Sequence, residues 1–333
     1  MNRKIVAFGE IMLRLSPADY REIKNAQSLE ACYGGTESNV LAALSAWGHA
    51  TEYLSVIPQN DVGEGAILHL RRLGVGTKHI ARRGDALGIY FLEFGFGERP
   101  SKVIYHRRHS AVTTVTPDDF DLDAIFDSCS LFHVSGISLA LSETCRGTAV
   151  TLAREAKKRG IPVSFDFNYR AKLLTTDEAA PFYREIMPYV DICFGNLFDL
   201  ATFLGIENET PEEAVRLFFE SYGARYLCYT EKKTVSSTVN ERAGVLWTRG
   251  DSEPICHRVG PYQFDVLDRI GGGDSFTAGI LHYLLKDPSD VVKALSFGVA
   301  CTVMKHTVKG DVLTLPEDAI LAFLKQKSKE VQR

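Results

Sequence analysis

From about residue 128 onward, short apolar runs alternate with amphipathic stretches. Residues 130–135 read as a strand, residues 141–159 carry the three-to-four-residue spacing of a helix, and residues 162–167 read as the next strand. A strand, a helix and a second strand in that order form the repeating unit of a parallel sheet covered by helices on both faces. Residues 190–195 predict a further strand with a short helix after it, and residues 225–230 another. Between them Thr210, Pro211, Glu212 and Glu213 predict a helix start, with an N-cap, a proline in the first helical position and a glutamate placed for a capping box.

The first third keeps the same rhythm: a strand at residues 5–9, a helix from about 38 to 47 stopped by Gly48, and a helix ending at Leu73 with Gly74 beyond it. Two interruptions differ in kind. Residues 11–32 and 87–110 carry period-two alternation, plainest where Tyr90, Leu92 and Phe94 interleave with Ile89, Phe91 and Glu93. Such segments predict a small, mostly antiparallel sheet growing out of an α/β core. No repeat, low-complexity tract or linker separates the two, so the expectation is one core of residues 1–10, 33–86 and 111–333 with a β lid of residues 11–32 and 87–110.

Composition narrows the function. With 333 residues, 45% hydrophobic and 24% charged, the chain is that of an ordinary globular protein. A formal net charge of −4 gives no overall positive field for nucleic acid or an anionic membrane, so neither is expected as a partner. No apolar run approaches a membrane span, and the start reads as a strand rather than a signal peptide, which predicts a cytoplasmic setting. The seven cysteines are scattered without a C-x-x-C pair, so neither disulfides nor a zinc site is expected.

The sharpest local signal is the run Asp268, Arg269, Ile270, Gly271, Gly272, Gly273, Asp274. Its glycines let backbone approach a ligand, and Phe276, Ile280, Tyr283 and Leu284 mark the buried face of a helix beginning at about Asp274. Amide N–H groups at a helix start form a phosphate-sized anion site, and a carboxylate beside it can take a proton from an attacking hydroxyl. Asp274 is therefore the candidate base, with Asp268 ranked behind it. A plain N-cap and tight turn would leave the same pattern. The second glycine signal is Gly34, Gly35, Thr36, Glu37, Ser38, Asn39, which opens the helix of the first third.

These two motifs, at opposite ends of an α/β chain, resemble the signatures of the ribokinase-like sugar kinases, the phosphofructokinase-B family, over nearly the whole chain. The resemblance implies a three-layer core with a mostly parallel sheet and a small β-sheet lid, and a reaction that uses ATP and Mg2+. It places Gly34, Gly35 and Asn39 on the sugar, Gly271, Gly272 and Gly273 on phosphate, and Asp274 as base. Asn196 with Asp199 matches the family's Asn-x-x-acid element near magnesium and phosphate, Asp199 acting through water. Arg269 stands where threonine is common, and Glu231, Lys232, Lys233 replace a lysine-glycine turn.

Residues 99–109 hold Arg99, Lys102, Arg107, Arg108 and two histidines without one acid. Tyr105 and Arg107, two apart, would share one face of a strand, with Tyr90 joining them from its neighbour. Arg170, in the run Asp166, Phe167, Asn168, Tyr169, Arg170 after a predicted strand, would be a second arginine at the carboxyl end of a parallel sheet, where α/β proteins bind ligands. Aromatic hydroxyls and guanidinium groups suit a polyhydroxylated carboxylate. These elements resemble those of 2-keto-3-deoxygluconate kinases, which implies that Tyr90, Tyr105, Arg107 and Arg170 bind a sugar acid, that Asn168 and Asn196 lie on the nucleotide side, and that the 6-hydroxyl receives the phosphoryl group. A neutral-sugar kinase and a non-catalytic ligand-binding relative are the alternatives. An exposed lid edge could pair two copies.

Overall fold

The computed structural model describes residues 3–207 and 209–325; Met1 and Asn2, at the head of the predicted first strand, lie outside them. Thirteen strands follow one another: β1 (Lys4–Phe8), β2 (Met12–Pro17), β3 (Leu29–Gly34), β4 (Ala50–Ile57), β5 (Ile80–Arg82), β6 (Gly88–Glu93), β7 (Lys102–His106), β8 (Cys129–Ser135), β9 (Val163–Asp166), β10 (Ile192–Phe194), β11 (Tyr226–Thr234), β12 (Val239–Thr248) and β13 (Ile255–Asp265). Nine of them form one sheet in the order β13-β12-β11-β10-β9-β8-β1-β4-β5, parallel from β11 through β5. The other four form a small sheet in the order β3-β2-β6-β7.

Strand β1 shows why the core has three layers. Val6 and Phe8 pack into one hydrophobic cluster, while Ile5 and Ala7, on the opposite parity, pack into the other. The helices Glu143–Lys158, Thr176–Ile186 and Pro211–Tyr222 cover the first face. Thr36–Ala46, Gly272–Lys286 and Val291–Lys305 cover the second. No helix among the described residues is long and apolar enough to cross a membrane.

Several boundaries moved from the sequence reading for identifiable reasons. The stretch 141–159 is one helix, Glu143–Lys158, capped by the Ser142 hydroxyl, which accepts from Cys145 N at 3.0 Å; a separate short helix, Gly136–Ala140, precedes it. The helix expected from residue 38 begins at Thr36 because Gly35, extended at φ −171°, serves as its N-cap. Strand β11 runs on to Thr234 and pairs with β12, which pairs with β13, an antiparallel extension that hydrophobic patterning does not signal. Glu231, Lys232 and Lys233 are exposed and much of β13 faces solvent, so ladder hydrogen bonds hold this edge together with a small cluster of Phe264, Val266 and Val303.

The small sheet is built from both interruptions. Strands β2 and β3 come from the first and β6 and β7 from the second, and the two hairpins meet along a parallel β2–β6 pair. Strand β3 reaches Gly34, so the first interruption continues directly into the glycine motif.

The helices Gly272–Lys286 and Val291–Lys305 form the most intimate helix pair of the fold. At their crossing a Cβ on Gly279 would lie 2.7 Å from Gly298 Cα and 3.0 Å from Cys301 Sγ. Gly279→Ala therefore sets improved helix propensity, worth about 1 kcal/mol, against overpacking of about 1–3 kcal/mol, and backbone cannot yield as a side-chain tip can. The expected outcome is a lower denaturant midpoint with an unchanged m-value. A neutral or stabilised variant would show that the helices part at no cost.

Candidate active site

The carboxyl ends of β1, β8 and β9 face the small sheet across a cavity of about 370 Å³. Its floor begins with the helix Thr36–Ala46. Thr36 accepts from Asn168 Nδ2 at 3.1 Å, and Glu37, 1% exposed, accepts from the Ser135 and Ser138 hydroxyls at 2.7 and 2.9 Å. Asn39 donates Nδ2 to Asp274 Oδ2 at 2.7 Å, across 235 residues of chain. The first turn of one helix is thus tied to the first turn of another, and the side chain that does it is not a cap: Asn39 Oδ1 reaches back to Gly35 N at 3.3 Å.

The helix Gly272–Lys286 begins at Gly271, whose φ of 81° lies in the left-handed region. Its backbone presses on a neighbour as well, since a Cβ there would fall 1.8 Å from Asp311 O. At Gly273 a Cβ would meet nothing within 4 Å, which leaves the backbone of the helix start open to the cavity. Asp274 follows, 8% exposed. Burial pushes its carboxyl up to about 7, with Asp311 and Glu37 adding to the rise while the Asn39 hydrogen bond and Arg170 oppose it. Asp166, at the end of β9, is pushed up to about 8 by burial and by the charge of Asp274, against the pull of Arg170.

A matched family model, "pfkB family carbohydrate kinase", spans residues 2–318 of this chain. The chain belongs to the pfkB family of carbohydrate kinases. A 2-dehydro-3-deoxygalactonokinase of Haloferax volcanii is 33% identical over 329 residues, 98% of each chain. Among solved structures, the 2-dehydro-3-deoxygluconokinase of Thermotoga maritima superposes with a TM-score of 0.92 at 36% identity, covering 98% of this chain and 99% of that one. A pfkB-family carbohydrate kinase from Listeria grayi gives 0.93 at 33% identity, covering 97% and 100%.

In this pfkB kinase the cavity gathers Gly34, Gly35, Asn39, Tyr90, Tyr105, Arg107, Asn168 and Arg170 with Gly271, Gly272, Gly273 and Asp274. Asn196 and Asp199 stand apart from its lining. They form a reciprocal capping box, Asp199 accepting from Asn196 N at 2.8 Å and Asn196 Oδ1 accepting from Asp199 N at 3.1 Å. Asp199 is nonetheless near enough for its charge to raise Asp166. Its own carboxyl is raised by burial. Buried carboxylates so short of positive charge fit a hard, oxygen-seeking cation such as Mg2+, which uses one or two carboxylates beside water and phosphate oxygens. Among the described residues no three His, Cys, Asp or Glu side chains form a metal cage.

Two sequence expectations need correction. The segment 99–109 is not an uncompensated basic strip. Arg99 pairs with Glu93 at 3.0 Å, and Arg107, beyond the end of β7, directs Nε to Glu10 Oε2 at 2.7 Å with Nη2 on the same oxygen. Arg99 and Arg107 are thereby paired, whereas Lys102 and Arg108 are exposed. Asp268, ranked behind Asp274 as a base, is 0% exposed and committed to Arg14 at 2.6 Å, with Gly310 N at 3.0 Å. Arg14 also holds Asp311 at 2.5 Å, and the Tyr90 hydroxyl donates to the other Asp311 oxygen.

Arg14, Asp311 and Asp166 escaped the sequence reading. A signal for Arg14 was present: it sits on the inward parity of β2, between Met12 and Ser16, all three buried. Asp311 follows a loop with no periodicity to mark it.

The raised carboxyl of Asp166 has a consequence for stability. A folded-state value of about 8 against an ordinary carboxyl value near 4 means that folding favours the proton, so this contribution is complete at low pH and is lost as pH rises toward 8. Asp166→Asn should therefore melt above the wild type at pH 8.5, by about 2 °C or more, with the gap closing toward pH 5. Thermal unfolding across that range checks it; a gap that widens in acid would mean that Asp166 is stabilised as a carboxylate.

Proposed function

We propose that this chain transfers the γ-phosphoryl group of ATP to the 6-hydroxyl of 2-keto-3-deoxygluconate. The observation that carries the proposal is Asp274, raised to about 7 and held by Asn39 at the open glycine helix start. A base with that value works near neutral pH, where it is half ionised and still strong enough to accept a hydroxyl proton. The acceptor's O6–H proton passes to Asp274 as O6 bonds to the γ-phosphorus. The bond from that phosphorus to the β–γ bridging oxygen breaks with its electron pair leaving on ADP. Backbone N–H groups at Gly271, Gly272 and Gly273 meet the charge on the transferring group. Mg2+, bound with the nucleotide near Asp166 and Asp199, would screen phosphate charge.

On the acceptor side, Gly34, Gly35 and Asn39 form the floor, and Tyr90, Tyr105, Arg107 and Arg170 take the hydroxyls and carboxylate of the sugar acid. Arg107 is already half engaged by Glu10, which orients it, whereas among the described residues Arg170 donates hydrogen bonds only to the Asn168 and Tyr169 carbonyls, at 3.3 and 3.1 Å. Arg170 is therefore the freer carboxylate ligand. Asn168, held at φ 40° and bonded to Thr36, fixes the loop that carries it. The small sheet acts as the lid, closing the site against water that would otherwise accept the phosphoryl group. The similarity to the Haloferax volcanii galactonate-type kinase supports a second reading, the C4 epimer as acceptor. A panel of both epimers, fructose and ribose with coupled ADP detection separates the readings.

Asp274→Asn should lower kcat by about 10²–10⁴-fold with little change in sugar-acid affinity, measured by steady-state kinetics and calorimetry; near-normal kcat would sink the mechanism. In the wild type, kcat/KM should fall as pH drops below about 7, where Asp274 takes up its proton. Arg170→Gln should raise KM for the sugar acid by about 10–100-fold and leave KM for a neutral sugar nearly unchanged. An equal rise for both would remove Arg170 from the carboxylate.

A further inference from the structure

Strands β11 and β12 set Lys232 directly opposite Arg242. Like charges at opposed positions of an antiparallel pair repel. Arg269 adds a third cation: burial and the Arg269 charge bring Arg242 down to about 10, and burial with Arg242 and Arg269 lowers Lys232. Among the described residues none of the three meets a carboxylate. Arg242 spends Nη1 on Thr230 Oγ1 at 2.8 Å and keeps a buried Nε without a partner, while Arg269 gives Nη2 to Ser237 O at 2.7 Å.

Arg242 and Arg269 are half-buried and Lys232 is exposed, yet cations this close normally have acids among them, as Arg14 has Asp268 and Asp311. Here the missing charge is an anion from outside. Its position is fixed by the cavity, because Arg242 and Arg269 line the same wall as Gly271, Gly273 and Asp274. A bulge between Arg242 and Gly244 breaks the β12–β13 register at this point, and bulges re-aim the side chains beside them.

We propose that Arg242 and Arg269, backed by Lys232, grip the polyphosphate of the donor beside the glycine helix start. The assignment rests on the kinase reading above and deepens it. Arginine suits phosphate because its planar fork offers two parallel donors. Charge builds on the β–γ bridging oxygen as its bond to phosphorus breaks, so fixed guanidinium groups on that chain stabilise the transition state as well as binding the donor. Arg269 at a common threonine position, and a β11–β12 hairpin in place of a lysine-glycine turn, are then two halves of one substitution.

The test is thermal unfolding and calorimetry of the full chain with inorganic tripolyphosphate, comparing wild type with Arg242→Gln and Arg269→Thr. Without ligand the variants should melt no lower than wild type, since each relieves repulsion. Tripolyphosphate should raise the wild-type Tm, and either variant should bind it about tenfold or more weakly. Equal tripolyphosphate affinity in wild type and both variants would overturn the assignment, as would unliganded variants that melt well below wild type. Wild-type ATP consumption with sugar acids is scored separately. Arginine-dependent tripolyphosphate binding without phosphoryl transfer would refute the kinase reading and leave the anion site standing; transfer with unchanged tripolyphosphate affinity in the variants would do the reverse.

Discussion

One buried guanidinium joins parts of the chain that no local force would bring together. Arg14 sits 3% exposed on the inward face of β2 and reaches Asp268, 254 residues on, and Asp311, 297 residues on. Asp268 opens the glycine turn and Asp311 lies against Gly271 and Gly34, so this pairing fixes the small sheet and the two glycine motifs in one frame. The charges are stranded if any member is removed, which costs several kcal/mol, so the arrangement is enforced as well as favoured. Tyr90 completes it through Asp311. A tyrosine that lines the cavity is thereby oriented by the same carboxylate that anchors the sheet.

The fold was legible where burial is periodic. Val6 and Phe8 against Ile5 and Ala7, or Tyr90 and Leu92 against Ile89 and Phe91, write the faces of a strand into the order of residues. The outer strand β13 carries little such alternation because most of it meets water and backbone pairing holds it to β12, whereas β12 is buried with Val245 and Trp247 on one face and Leu246 on the other. Within the site, glycines and Asp274 could be located because close backbone approach and a helix start demand particular residue types. The charge pairings could not. Glu10 with Arg107, and Arg14 with two aspartates, join residues whose separation of 97 to 297 positions leaves no local trace, so a segment that looked bare of acids has its buried arginine paired in three dimensions.

Two electrostatic regimes meet at the cavity. On one side Asp166 and Asp274 are raised by burial, Asp166 also by the charge of Asp274, with Arg170 opposing both. On the other Lys232 and Arg242 are lowered, short of negative charge. Direct pairing would satisfy both groups and erase the site; among the described residues Arg242 instead spends a guanidinium nitrogen on the Thr230 hydroxyl. Stability is lower for it, and the field between the two walls is ready before a ligand arrives.

The wall of the cavity is also divided along the chain. Every lining residue from Met12 through Arg170 precedes every one from Arg242 through Asp311, and the two stretches meet through Asn39 to Asp274 and Tyr90 to Asp311 in the lining, Arg14 to Asp268 and Asp311 beside it, and the core shared by the helices Thr36–Ala46 and Gly272–Lys286. The two walls are therefore contributed by successive stretches of the chain that share one core. Recombination in the stretch between them could exchange one wall while conserving the other, provided that Asn39, Arg14 and Tyr90 still find their partners and the two helices still pack.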